Sequence, residues 1–250
     1  MQRLAYAGSL RSAAGDDVRI LLDEDPRSLE PDPARRAGDD ADTVSHSEVH
    51  DAASLNAVTE LLLVRHGETD WNRDRRFQGH ADPGLNDIGR EQAWALADEL
   101  ASERVDAIYT SDLSRARETA EIIAERVGAP VVLDRKLREI DVGEWQGLTW
   151  PEVEARYPDG VRNWHEHGHG WERGETYEAL GARVVAALRR ISAVHPGGRV
   201  LIVGHGGIVR SIRALVEGRT VAQSRRESPA IGNCEVFRIR AENGTFRRLD

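Results

Sequence analysis

Two apolar runs end abruptly in histidine. Leu61-Leu62-Leu63-Val64 is followed by Arg65-His66-Gly67, and Val200-Leu201-Ile202-Val203-Gly204 by His205-Gly206-Gly207. Such runs read as buried strands, and the C-terminal tips of strands are where open α/β sheets bind ligands. A neutral imidazole there is a good nucleophile near neutral pH, and glycine beside it permits close backbone approach. Arg65 can grip a phosphoryl group through paired hydrogen bonds, and Asn72 can add a neutral donor. A further cation is needed to balance three phosphoryl oxygens. Arg115 supplies it: Ser111-Asp112-Leu113-Ser114-Arg115 follows a short strand and opens a helix, so it belongs at the same sheet edge. Arg117 lies roughly 200° further round that helix and reads as a surface residue. A histidine attacking a phosphate ester needs an acid for the leaving oxygen. Glu139, in Leu137-Arg138-Glu139-Ile140-Asp141-Val142-Gly143-Glu144, is the leading candidate, with Asp141 and Glu144 as rivals.

The elements that must hold these residues are legible in the spacing. A strand covers 60–65. A helix starts at Asn86, a good N-cap, with Ala93, Leu96, Ala97 and Leu100 on one face. Ala107-Ile108-Tyr109 is a strand; Ser111 is expected to cap a helix bearing Ala116, Ala120, Ile123 and Val127, ended by Gly128. Val131-Val132-Leu133 is a third strand, and residues 144–175 read as irregular. Tyr177, Leu180, Val184, Leu188 and Ile191 form the stripe of a long helix. Strand 200–203, helix 207–217 and strands 234–239 and 245–249 complete the chain. This alternation implies a three-layer α/β sandwich with a mostly parallel central sheet and helices on both faces.

The chain has 250 residues and a formal net charge of −9, with 40% hydrophobic residues. That suffices for one domain with a sizeable core plus a tail. The acidic balance argues against a nucleic-acid partner, although a locally basic pocket can still take an anionic substrate. No apolar run approaches the ~20 residues needed to span a membrane, and no secretory leader is visible; a cytoplasmic location is expected. Cys234 is the single cysteine and reads as a small core residue within a strand. Residues 1–57 hold twelve acidic residues against six arginines, which is −6 of the total charge, and segment 23–53 is rich in Asp and Pro. They are expected to form a disordered acidic N-terminal extension, with 58–250 as the catalytic domain. Val18-Arg19-Ile20-Leu21-Leu22 has strand character but no evident partner, and Val58 is an alternative start if its codon is GTG.

Taken in order, Arg65-His66-Gly67-Glu68-Thr69, Phe77-Gln78-Gly79, Ser111-Asp112-Leu113-Ser114-Arg115-Ala116, Leu137-Arg138-Glu139, Gly174-Glu175-Thr176 and Gly204-His205-Gly206-Gly207 resemble the motifs of the histidine phosphatase superfamily, the phosphoglycerate mutase-like family. The resemblance spans about 60–250. It implies that His66 is the nucleophile and becomes a phosphohistidine. It implies that Arg65, Arg115 and His205 stabilise the transferring group, that Asn72 lines the phosphate pocket, and that Glu139 donates the leaving-group proton and then activates water. Gln78, Gly79, Gly206 and the Gly174-Glu175-Thr176 segment fall in substrate-facing loops of the pattern. The family needs no metal and no cofactor.

Trp164-His165-Glu166-His167-Gly168-His169-Gly170-Trp171 has alternating histidines but no carboxylate or cysteine framework around them. It reads as a lid loop and the substrate-selectivity element. Trp145, Trp150, Trp164 and Trp171 either wall the pocket or pack the lid. The leading function is a metal-independent phosphomonoesterase for small phosphorylated metabolites. The alternatives are a 2,3-bisphosphoglycerate-dependent phosphoglycerate mutase and a protein phosphohistidine phosphatase. The partner expected is a small-molecule phosphate ester, and a homodimer is compatible with the sequence.

Overall fold

The computed structural model describes residues 19–20 and 57–249. The rest of the expected acidic extension lies outside the described residues. Seven strands among these form one sheet: β1 (Arg19–Ile20), β2 (Thr59–Arg65), β3 (Ala107–Thr110), β4 (Val131–Leu133), β5 (Arg199–Gly204), β6 (Val236–Glu242) and β7 (Thr245–Arg248). Their order is β1-β4-β3-β5-β2-β6-β7. Pairings from β1 through β2 are parallel, while β2–β6 and β6–β7 are antiparallel. The sheet is therefore mostly parallel, as the alternation of elements predicts.

The helices are α1 (Asp70–Arg73), α2 (Asp87–Leu100), α3 (Ser114–Val127), α4 (Trp150–Arg156), α5 (Pro158–His167), α6 (Tyr177–Val194), α7 (Gly206–Val216) and α8 (Val221–Glu227). The strict two-residue period of a strand sorts side chains between the two faces. In β2, Leu62 and Val64 join the core beneath α2 and α3, whereas Leu61 and Leu63 join the core beneath α6 and α7. β5 divides in the same way: Leu201 and Val203 face one core, Val200 and Ile202 the other. A strand buried on both faces has to be apolar throughout, and this is why the two central runs carry no polar residue before their tips.

Four local expectations are corrected. Ser111 does not cap α3: Leu113 occupies the N-cap without a side-chain bond, because the Ser111 hydroxyl is committed to His205. Residues 144–175 are not irregular throughout. They hold α4, capped by Thr149 and Glu152 with Pro151 in the first turn, and α5, which starts at Pro158 and ends at left-handed Gly168. Cys234 lies before β6 and not within it. It is partly buried with φ of 55°, and its N–H donates to the Arg65 carbonyl at 2.8 Å. Strand β1 does find a partner: Arg19 and Ile20 pair with Val132 and Leu133.

Candidate active site

Parallel pairing of β2 with β5 puts Arg65 opposite Gly204, and the His66 N–H donates to the Gly204 carbonyl at 2.9 Å. The next residue on each strand is a histidine. The His66 and His205 rings are therefore neighbours, with centroids 5.3 Å apart at 61°. The backbone around His66 is held from three sides. Gly67 N–H donates to the Thr119 hydroxyl at 3.0 Å, and that hydroxyl donates to the Arg115 carbonyl at 2.7 Å. Asn233 donates to the His66 carbonyl at 2.8 Å. A Cβ on Gly67 would overlap the Gly89 carbonyl at the start of α2, so only glycine allows this helix to sit against the strand tip.

His66 is buried, and its Nδ1 lies 2.7 Å from the Gly67 carbonyl oxygen. A carbonyl only accepts, so Nδ1 carries the proton and Nε2 keeps its lone pair. Burial, followed by the charges of Arg115 and Arg65, holds the His66 imidazole well below its usual range. His205 is held down in the same way by burial, then by Arg115 and His66. Both rings are neutral at neutral pH. The Ser111 hydroxyl lies 2.7 Å from His205 Nε2; with that hydroxyl donating, His205 keeps a proton on Nδ1.

Both candidate arginines are anchored through their terminal nitrogens. Arg65 donates Nη1 to the Ile231 carbonyl at 2.9 Å. Arg115, fully buried, donates to the carbonyls of Ala81 and Gly79, each at 2.8 Å. Burial lowers Arg115 to about 10, which leaves it charged at neutral pH. The Nε atoms of both arginines and Nδ1 of His205 are buried with no hydrogen-bond partner among the described residues. Buried donors are nearly always satisfied, so the two unpartnered guanidinium N–H groups beside the neutral His66 imidazole make a site shaped for an anion. Asn72 accepts at its amide oxygen from Thr69, which leaves its NH2 as a further donor.

The carboxylate of Glu139 lies at the N-terminus of α7. Its two oxygens each accept from Gly207 N–H at 3.1 Å, and Oε1 also accepts from Ile140 N–H at 2.9 Å. Its rivals point elsewhere: Asp141 accepts from Gly143 N–H, and Glu144 from the backbone of Glu172 and Arg173. Glu139 is the sole carboxylate lining a cavity of about 340 Å³ that also exposes Arg65, His66, Asn72 and Arg115. Gln78, Gly79 and Gly206 line the same cavity. The Gly174-Glu175-Thr176 segment does not. Glu175 instead binds Arg183 at 2.6 and 2.7 Å, and Arg183 donates to the Glu139 carbonyl at 2.9 Å. The segment thus braces the Glu139 loop from behind.

Both readings of the tryptophans apply to different members. Trp145 is fully buried at the centre of a cluster with Phe77, Trp150, Trp164 and Trp171, while Trp164 and Trp171 also wall the cavity. Of the histidines in this stretch, His165 packs edge-on against Trp150 and His169 lies tilted against Trp171. Among the described residues no group of three or more His, Cys, Asp or Glu side chains is placed to hold a metal ion. Nor is any helix among them long and apolar enough to cross a membrane. Burial pushes the Cys234 thiol up to about 12, in keeping with an unreactive side chain. Arg117 pairs with Glu121 on the surface of α3 at 3.7 Å.

Sequence reasoning missed Thr119, Asn233 and Arg183. Each acts on backbone atoms of a motif residue, and no local spacing signals that.

This arrangement of paired strand-tip histidines and anchored arginines defines a phosphoryl-handling α/β enzyme. The chain belongs to the histidine phosphatase superfamily (branch 1), whose family model matches residues 61–249. It is 41% identical over 160 residues to a metal-independent phosphoserine phosphatase of Arabidopsis thaliana, covering 62% of this chain and 67% of that one. It is 36% identical over 181 residues to a glucosyl-3-phosphoglycerate phosphatase of Mycolicibacterium vanbaalenii, covering 66% and 76%. Among solved structures it resembles YhfR of Bacillus stearothermophilus, with a TM-score of 0.71 and 35% identity over 76% of this chain and 95% of that one. The protein is a phosphatase of this superfamily.

Proposed function

We propose that this chain hydrolyses small phosphomonoesters without a metal, through a phosphohistidine on His66. The observation that carries the reading is the fixed tautomer of His66, with Nδ1–H on the Gly67 carbonyl and Nε2 bare, on the same cavity as Arg65 and Arg115, whose buried Nε atoms have no partner among the described residues.

In the first step Nε2 of His66 attacks phosphorus. The ester P–O bond breaks, and the protonated Glu139 carboxyl gives its proton to the leaving alcohol oxygen. The positive charge that develops on the imidazole is stabilised through Nδ1–H by the Gly67 carbonyl. Arg65, Arg115, His205, Asn72 and the Gly206 N–H that opens α7 bind the equatorial phosphoryl oxygens. In the second step Glu139, now a carboxylate, takes a proton from water. The water oxygen attacks phosphorus, the P–N bond breaks, and His66 regains its lone pair. Gln78 adds a polar group at the cavity wall, and Gly79 acts through the carbonyl that holds Arg115.

Relatives named as phosphoserine and glucosyl-3-phosphoglycerate phosphatases support hydrolysis, whereas other relatives are named as probable phosphoglycerate mutases. Phosphorus NMR of 3-phosphoglycerate and a panel of sugar phosphates, with EDTA present and with or without trace 2,3-bisphosphoglycerate, tests this. The expected result is release of free phosphate in EDTA. Conversion to 2-phosphoglycerate without comparable phosphate release would make the protein a mutase.

A further inference from the structure

The cavity carries more positive charge than one phosphoryl group uses. Five arginines line it, and four are accounted for within the protein. Arg65 and Arg115 are anchored as described. Arg76 bonds the Gly147 carbonyl at 2.7 Å and Glu152 at 3.2 Å, and Arg213 bonds the Pro229 carbonyl at 2.8 Å beneath the Phe237 ring. Arg210 is the exception. It is half-buried and lines the cavity, yet it makes no hydrogen bond, ion pair or ring contact among the described residues. Its charge bears on two other cations, Arg65 and Arg225, and on the Tyr177 hydroxyl. Repulsion among these cations is uncompensated by any carboxylate within ion-pair distance of Arg210. Glu139 is the one anion lining the cavity, and it is bonded to the α7 N-terminus.

Helix geometry fixes where this charge sits. Arg210 is four residues after Gly206 and so lies on the same face of α7. It stands about 6 Å further along the axis, one turn beyond the phosphoryl end of the cavity. Tyr177, from α6, lines the cavity beside it. Burial pushes its hydroxyl up to about 12, so it remains a hydrogen-bond donor, and it too has no partner among the described residues.

We propose that Arg210, assisted by the Tyr177 hydroxyl, binds a second anionic group on the substrate, a carboxylate or a second phosphate, and so selects doubly charged phosphomonoesters. The inference rests on the phosphatase reading above and adds the class of substrate. Arg210 has no part in the phosphoryl transfer itself.

The test compares matched esters. 3-Phosphoglycerate and glycerol 3-phosphate differ by a carboxylate against a hydroxymethyl group. 1,3-Propanediol bisphosphate and 3-hydroxypropyl phosphate differ by one phosphate. Each is measured as a substrate by phosphate release and as a competitor of p-nitrophenyl phosphate, for the wild type, Arg210→Gln and Arg210→Lys. The wild type is expected to prefer the charged member of at least one pair. Arg210→Gln should reduce that preference about 10- to 100-fold, chiefly through KM, as loss of a charged hydrogen bond would. Arg210→Lys should restore part of it. The pair that responds identifies the second anion as carboxylate or phosphate. Equal effects of Arg210→Gln on both members of both pairs, or no preference in the wild type, would overturn the inference and leave the phosphatase reading standing. Wild-type protein that leaves p-nitrophenyl phosphate intact would overturn the phosphatase reading, and this inference with it.

Discussion

Gly207 N–H donates to both carboxylate oxygens of Glu139, at 3.1 Å each, and a Cβ on Gly207 would overlap Oε1 of that carboxylate. The Glu139 carboxylate and the opening turn of α7 are thus fitted to one another across 68 residues of sequence. The same turn follows His205, so one helix N-terminus holds the Glu139 carboxylate and borders the cavity that exposes His66.

The fit yields a leaving-group prediction. Glu139→Gln removes the proposed proton donor, so kcat/KM for alkyl phosphates, which reports phosphoenzyme formation, should fall about 10²- to 10⁴-fold, whereas kcat/KM for aryl phosphates, which leave without a proton, should lose far less. Gly207→Ala pushes the carboxylate aside and should show the same pattern in weaker form. Steady-state kinetics on an alkyl and an aryl ester check both. Equal losses on the two esters would remove Glu139 from the acid role.

Arg183 should act on the same step from behind. It ties Glu175 to the Glu139 carbonyl without lining the cavity. Arg183→Ala is expected to lower kcat on alkyl phosphates about 10-fold with little change in KM, and to affect aryl phosphates less. A loss expressed in KM, or equal on both ester types, would mean that the pair only stabilises the fold.

The buried histidines set a pH dependence of stability. His66 and His205 are both held well below 6.5 in the folded protein and return to about that value on unfolding. As pH falls below 6.5 the unfolded chain binds more protons than the folded one. Stability present at higher pH is therefore lost through this window, by up to about 1.4 kcal/mol per pH unit for each histidine. Urea unfolding between pH 7 and about pH 5 should show a steeper decline for the wild type than for His66→Asn/His205→Asn. Equal slopes would show that the two imidazoles are not the groups responsible.

Much of this site was legible in the sequence. Both histidines and Arg65 end strands that are apolar because they are buried on two faces, and an interruption of such a run is conspicuous. The alternation of elements gave the sheet and its two helical layers. The sequence was less informative where tertiary context overrides local signals. Ser111 has the chemistry of an N-cap, but its hydroxyl is claimed by His205. Residues 144–175 hide two short helices because their apolar residues are tryptophans packed on one another instead of a stripe at helical spacing. Glu175 falls in a motif of the family pattern, yet the fold uses it to brace Arg183. Arg210 carries no motif, and its unpaired charge is visible only once its neighbours are in place.

If His66 is the nucleophile, with Nδ1 held by Gly67 and Nε2 free to attack, phosphate passes through a bond to this imidazole. Acid-labile, alkali-stable phosphoenzyme should appear when the protein is quenched in base during turnover in EDTA. Intact-mass and peptide analysis should place one phosphoryl group on His66. His66→Ala should form none, and its turnover should drop by at least about four orders of magnitude. Phosphoenzyme that persists in His66→Ala, or turnover in that variant near the wild-type rate, would contradict the account.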